Sequence, residues 1–409
     1  KFMDCIKDRK IKCIAGGVFP SSVPERVLQD DCVDYVCRGE GEGALVDLCN
    51  ALEYGKDPSN IPNLWVKKDG KIVSRNRIRA ALDVNSLPVQ DLSIFEDVSL
   101  HRPMMGKIYR MVPVETQRGC PYACRFCNSP EKNEFYDLEK AGRFFRKRTM
   151  EHVHTELKEI IPKFNLEYIF FIADTFLAMS EKEFDEFCEM YSDIRLPFWM
   201  QTRPETLTEY KIKRLAEVGL HRMAAAIEHG NDSFRSRVLM RKWNNEDIIE
   251  TLKIPHRYGV QFSVNNMTGF PTETRALAMD TVEINRCIDS DNQNMYAFAP
   301  FHGTPLRKMC EELGLISDAT ITRSFMDNSV INMPQYPSEE VEGLIKCFVL
   351  YVKFPKNRWP EIKKAEEDTP EVNKIYQEFK NEFTSLFFNE QDENFEAAAM
   401  EQQVKSPMS

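Results

Sequence analysis

Three cysteines fall within eight residues of one loop, Arg118-Gly119-Cys120-Pro121-Tyr122-Ala123-Cys124-Arg125-Phe126-Cys127, with the spacing C-x3-C-x2-C. Iron-sulfur clusters are held by thiolates, and gaps this short let one loop wrap a cube so that each sulfur reaches a different iron. Three ligands on four irons leave one iron open. An open coordination position is what a catalytic metal needs to bind substrate directly. The alternatives are three structural cysteines, or a zinc ion completed by a distant histidine. Zinc ribbons usually show two C-x2-C pairs, and the sequence has no second one. The other nine of the twelve cysteines, among them Cys32, Cys37, Cys188, Cys287, Cys310 and Cys347, suit core positions as small hydrophobes.

The loop follows an apolar strand expected at 114–117, which opens a repeat of strand and helix about forty residues long. Thr149 caps a helix with Val153, Leu157, Ile160, Ile161 and Phe164 on one face, and a strand follows at 168–173. Ser180 and Glu183 form a capping-box pattern ahead of the stripe Phe184, Phe187, Cys188 and Tyr191, then a strand at 198–202. Helix 208–218 stops at Gly219 before strand 222–228, and helix 245–258, which Pro255 should kink or shorten, stops at Gly259 before strand 260–267. Helix 273–288 leads to a sixth strand at 294–299. Six such units imply an α/β chain folded as an open (βα)6 partial barrel.

Upstream, the first sixty residues alternate short apolar runs with Gly16-Gly17 and Arg38-Gly39-Glu40-Gly41-Glu42, a strand-helix pattern whose helix from Gly43 carries Leu45, Leu48 and Leu52 at helical spacing. Asp69-Gly70 marks a tight hairpin, and the proline-spotted stretch to Pro113 reads as a linker. Composition is that of globular protein, 42% hydrophobic and 29% charged. The net charge of -10 repels a phosphate backbone, so nucleic acid is excluded as a default partner. No apolar run reaches the roughly 18 residues of a membrane span. Without an export pattern, the cysteines point to a reducing, cytoplasmic compartment.

The cysteine spacing at the end of a first barrel strand resembles the radical SAM superfamily. That resemblance implies a [4Fe-4S] cluster on Cys120, Cys124 and Cys127, with S-adenosylmethionine (SAM) on the open iron and a 5'-deoxyadenosyl radical as product. Carried over by motif, Phe126 matches the residue whose backbone approaches the SAM adenine. Glu228 in Ala226-Ile227-Glu228-His229-Gly230 matches the polar contact to the ribose, and Gly269 in Met267-Thr268-Gly269-Phe270-Pro271 the fifth-strand glycine that permits close backbone approach. Where family members often place Gly-Gly-Glu, this chain has Ala173-Asp174-Thr175, which leaves Asp174 as the counterpart. Arg235 and Arg241 are candidates for the SAM carboxylate, since guanidinium binds carboxylates in a bidentate fork.

Gly16-Gly17, Gly39-Glu40-Gly41-Glu42, the linker and the cysteine loop, in this order, resemble the cobalamin-binding radical SAM enzymes, with Gly16 and Gly17 passing beside the cofactor's nucleotide tail. The upstream Asp-x-His-x-x-Gly motif has no counterpart, and the chain opens at Lys1, so the resemblance implies a complete protein that starts roughly eighty or more residues earlier and holds the cobalamin, the alternative being a module decayed into a structural cap. The expected organisation is the C-terminal part of a Rossmann-like cobalamin-binding domain over 1–60, hairpin and linker over 61–112, the radical SAM barrel over 113–304, a helical extension over 305–387 and a disordered tail over 388–409. The implied activity is a cobalamin-dependent methyltransferase acting on an unactivated carbon or a phosphinate centre of a small molecule, with a flavodoxin or ferredoxin as reductant. The alternatives are radical rearrangement or cyclisation without methyl transfer, and a non-catalytic iron-sulfur electron carrier.

Overall fold

Parallel strands need long crossovers, and the forty-residue repeat supplies them as helices. The computed structural model describes residues 11–322, 324 and 326–387; the tail expected over 388–409 lies outside the described residues. Six parallel strands, β1 (Lys107–Glu115), β2 (Tyr168–Ile172), β3 (Phe198–Thr202), β4 (Leu220–Glu228), β5 (Gln261–Thr268) and β6 (Asn292–Ala297), lie side by side in chain order as a curled half-barrel sheet. A seventh, antiparallel strand, His101–Met104, edges β1 through the two-residue turn Met105-Gly106, both with positive φ.

β1 therefore begins seven residues before the strand expected at 114, inside what the sequence suggested was linker. Pro113 misleads there, because a proline usually argues against a strand. The carbonyl of Arg110 and the amide of Thr116 bond toward β2, so the intervening odd residue Pro113 faces the other side, beyond the short hairpin partner, where no ladder bond is lost.

The helices form where their caps dictate. Thr149 accepts the N–H of His152, Ser180 and Glu183 make the reciprocal capping box, and Gly219 ends helix Glu209–Val218 in the left-handed region at φ 119°. Pro255 splits the expected helix 245–258 into Asn245–Thr251 and Ile254–Arg257. Packed on one face of the sheet, these helices enclose a core that includes Phe171, Phe187, Tyr191 and Phe198, all fully buried. Helix Ser338–Lys353 packs against β6 and helix Arg275–Arg286.

The described chain divides into two compact units, 11–86 with 121–146 and 300–309, and 87–120 with 147–299 and 310–387. The second holds the half-barrel. The first has a four-stranded sheet in which Ile14–Ala15 and Tyr35–Cys37 run parallel and the expected hairpin, Leu64–Lys68/Lys71–Arg75, adds two antiparallel strands that complete the sheet. Helix Glu42–Glu53 buries Ala44, Leu48 and Ala51, whereas Leu45 and Leu52, expected on the apolar face, are 48% and 43% exposed. Both sets fit a 3.6-residue period around Leu48; the one with alanines faces the core.

Gly230, just past β4, has no room for a side chain: a Cβ there would lie 2.1 Å from the Asp280 carbonyl oxygen, a backbone atom with no rotamer to yield. Gly230→Ala is expected to destabilise the chain by about 3 kcal/mol. Gly259→Ala, with open space but φ +67°, should cost only about 1–2 kcal/mol. Urea unfolding midpoints check the pair, and equal shifts would contradict the packing argument.

Candidate active site

The cysteine loop leaves the end of β1 through Gln117, whose buried amide donates to the Thr175 carbonyl at 2.7 Å, and through Gly119 at φ +85°. Cys120 is 8% exposed, and its Sγ lies 3.4 Å from Thr175 Oγ1, just after β2. Farther along the loop, Cys127 is the N-cap of helix Asn128–Leu138, and its Sγ accepts the N–H of Ser129 at 3.4 Å. A helix N-terminus favours the thiolate over the thiol. None of the three cysteines is in a disulfide. Thiols outside disulfides, two buried and one half-buried, one of them accepting an amide N–H, are the donor type that an iron-sulfur cube takes. Among the described residues no three Cys, His, Asp or Glu side chains form a ready site for a single metal ion; the thiolates around a cube each take a different iron and need not meet at one point.

The first unit anchors the helix that Cys127 caps. Arg38 Nη1 bonds Glu139 at 3.2 Å, and the Tyr136 hydroxyl accepts the N–H of Glu40 at 3.2 Å. Arg146 pairs with Glu40 at 2.5 Å. Gly39, at φ +72°, comes so close that a Cβ would sit 3.0 Å from the Tyr136 hydroxyl. Burial raises the Glu131 carboxyl, which accepts from Ser22 Oγ at 3.3 Å. Gly16 and Gly17 are exposed, and Gly17, at φ +102°, has open space where a side chain would stand. Phe126 is half-buried.

In the second unit, Glu228 ends β4 at φ +71°, a strained backbone for a residue with a side chain. Arg241 donates to its Oε1 at 2.9 Å and reaches Glu205 at 3.6 Å, while Arg203 pairs with Glu205. Burial pushes the Glu228 carboxyl up against the pull of Arg241 and Arg203; burial also pushes on Glu205, but those same two arginines hold it below the usual range. Glu205 and Arg203 were not expected from sequence. They sit after β3 in Arg203-Pro204-Glu205, and their position at a strand end was the available signal. Asp174 is exposed just after β2.

Arg235 is a correction. Its guanidinium donates to Trp243 O through Nε and Nη2, to His229 O and Asn245 Oδ1 through Nη1, and to Asp232 Oδ1 through Nη2. A guanidinium has five N–H donors, and all are spent within its own segment, leaving none for a SAM carboxylate. Gly269 is likewise explained inside the protein: a Cβ would meet Val341 Cγ1 at 3.1 Å, so the close approach at φ +84° is to a neighbouring helix.

Glu273 was missed. Fully buried, it accepts the amides of Gly269 at 2.6 Å and Phe270 at 2.9 Å on Oε2, and His229 Nε2 at 3.0 Å and Thr268 Oγ1 at 3.3 Å on Oε1. His229 Nδ1 accepts the N–H of Asn231, so Nε2 carries the proton. The clamp holds the β4 and β5 ends together. Its signal was a glutamate four residues after Gly269.

Arg235→Lys replaces five donors with three and is expected to lower stability by about 2–3 kcal/mol. SAM affinity of the folded variant should stay within about twofold of the parent. Urea unfolding and SAM titration check both, and weaker SAM binding at an unchanged midpoint would restore Arg235 as a cofactor ligand.

Residues 114–283 match the model of the Radical SAM superfamily. An uncharacterized methyltransferase, PH0819 of Pyrococcus horikoshii, is 24% identical over 352 residues, 84% of this chain and 72% of that protein. The anaerobic magnesium-protoporphyrin IX monomethyl ester cyclase of Rubrivivax gelatinosus is 23% identical over 74% of this chain, which spans about half, 53%, of the cyclase. Two solved structures share the fold. The radical SAM methyltransferase TsrM from Kitasatospora setae, bound to tryptophan and a SAM analogue, has TM-score 0.65 at 14% identity, covering 98% of this chain and 84% of that one. The cobalamin-dependent enzyme OxsB with aqua-cobalamin has TM-score 0.63 at 13% identity, covering 98% and 64%. Residues 114–283 are similar to the radical SAM domain, and the chain resembles the cobalamin-dependent radical SAM enzymes TsrM and OxsB in fold.

Proposed function

We propose that this chain is a cobalamin-dependent radical SAM methyltransferase acting on an unactivated carbon or phosphinate centre of a small molecule, with Cys120, Cys124 and Cys127 holding a [4Fe-4S] cluster. The observation that carries the reading is the C-x3-C-x2-C loop, without disulfides, leaving the first strand of a six-stranded half-barrel. When bound, the cluster would supply the electron that cleaves SAM, and the corrinoid the methyl group. The chain's own residues bind and orient. The Ser129 amide favours the charged form of Cys127. Glu228 offers a carboxylate oxygen to the hydroxyls of a ribose, and Arg241 holds that carboxylate in place by a bond to its Oε1. Gly17 leaves its backbone open to a nucleotide tail, a role for the intact protein with its preceding residues. Phe126 and Asp174 complete the proposed SAM contacts.

A flavodoxin or ferredoxin is the proposed reductant, in the cytoplasm. Among the described residues no helix is long and apolar enough to cross a membrane. The cyclase relative keeps a second reading open, radical cyclisation or rearrangement without methyl transfer, and product mass separates the two: methylation adds one methyl group.

Anaerobic reconstitution should yield about four irons per chain, falling to near zero when Cys120, Cys124 and Cys127 are all changed to alanine. With SAM and dithionite, the reconstituted protein should release 5'-deoxyadenosine. Iron near zero in the parent would overturn the cluster assignment; four irons without SAM cleavage would favour an electron carrier.

A further inference from the structure

Side chains of a strand alternate between the two faces of its sheet, and in this half-barrel the two faces differ. Ile169, Phe171, Phe198, Met200, Met223, Ala225, Phe262 and Val264 point to the helix-covered core. Their neighbours form the opposite, concave face, and β3, together with β5 and β6 after their exposed first residues, shows it as an alternation of buried and half-buried positions. A barrel interior is ordinarily filled by layers of branched side chains. Here the central strand β4 places the small Ala224 and Ala226 beyond Arg222, so its own residues fill little of the middle of the concave face.

The two sides of this space have different chemistry. On β2 and β3, Phe170 and Trp199 stack with centroids 4.1 Å apart and planes within 6°, both half-buried. On β5 and β6, the cross-strand neighbours Asn265 and Asn294 share one hydrogen bond, Asn294 Nδ2 to Asn265 Oδ1 at 2.9 Å. Neither of the two remaining amide atoms has a hydrogen-bond partner among the described residues. Turning both amides over exchanges the roles but still leaves one donor beside one acceptor. Two ion pairs lie on this face, Arg222 with Asp291 at 3.9 Å and Glu115 with Arg118 at 3.0 Å, and Lys107 at the start of β1 lies over the Tyr109 ring.

An aromatic platform favours a flat ring. A donor-acceptor pair without partners favours a ligand edge that answers both, because a ligand that covered it with apolar surface would leave two polar atoms unanswered. With Glu115 and Arg222 already paired, an ionised ligand beside them would give up water with little compensation. From these observations, and resting on the reading of the half-barrel as the active-site cavity, we infer that the substrate is a planar, uncharged ring system with an adjacent N–H and C=O, a lactam or ring carboxamide. Phe170 and Trp199 hold the ring, and Asn265 and Asn294 bind the edge and set its orientation.

The test uses the anaerobically reconstituted chain with SAM and three bicyclic probes in isothermal titration calorimetry: 2-quinolone, with the lactam edge; quinoline, with the rings but no such edge; and quinoline-2-carboxylate, with a charge. 2-Quinolone is expected to bind at least about tenfold more tightly than either of the others. Asn265→Ser, Asn294→Ser and Trp199→Leu should each weaken 2-quinolone about tenfold, with iron content unchanged. Equal affinity for the three probes, no detectable 2-quinolone binding, or variants that bind as well as the parent would each overturn the inference. Loss of iron or of SAM cleavage in the parent would instead count against the function proposed above. The probe preference is an equilibrium measurement that needs no turnover and would still decide the substrate class.

Discussion

The site depends on a sheet that is sealed on one face only. A parallel sheet ordinarily has both faces covered, and its strands read as continuous apolar runs. In this protein β5 alternates instead, with Phe262, Val264, Asn266 and Thr268 buried and Ser263, Asn265 and Met267 half-buried between them. Burying the first set drives folding at roughly 25 cal/mol per Å² of apolar surface. The second set contributes less to that term and is left for recognition. A one-residue slip of register would exchange the two sets, so the same interaction that stabilises the sheet also fixes which side chains face the cavity.

Strand ends are where such a sheet must hold its loops, and the protein does so with buried polar clamps. Glu273 accepts four hydrogen bonds and Arg235 donates five, each satisfied within the protein. A buried ion left unpaired costs several kcal/mol, while an exposed ion pair contributes about 0–1 kcal/mol. That asymmetry decides what the clamps do. Their net stabilisation is modest, but any arrangement that breaks one is heavily penalised, so the β4 and β5 ends are confined to a single geometry. The left-handed Glu228 persists because Arg241 and the adjoining strands over-determine it.

Local signals were legible in the sequence, and distant ones were not. Ser180 with Glu183, Gly219, Pro255 and Asp69-Gly70 act within a few residues of themselves, and each does in the structure what its chemistry implies. The cysteine spacing was readable for the same reason. Gly269 and Arg235 looked like cofactor residues because motif and charge are local, whereas the partners that account for them, Val341 and a ring of carbonyls, are matters of packing. Pro113 concealed the start of β1 because the harmlessness of its missing N–H depends on which strand lies beside it. The choice between Leu45 and Ala44 on one helix was likewise set by the surface it packs on.

Packing also changes the meaning of the Gly-Glu-Gly-Glu segment. In the sequence it serves as part of a family resemblance, and in the structure Glu40 bonds Arg146 through its carboxylate and the Tyr136 hydroxyl through its amide, while Gly39 is small enough to let that hydroxyl in. Tyr136 and Glu139 flank the C-terminal end of the helix that Cys127 begins. Within the first unit, then, the glycine segment is the mount on which this helix is set. Glu40 therefore bears on the far end of the eleven-residue helix that Cys127 caps, which ties the two motifs together by packing.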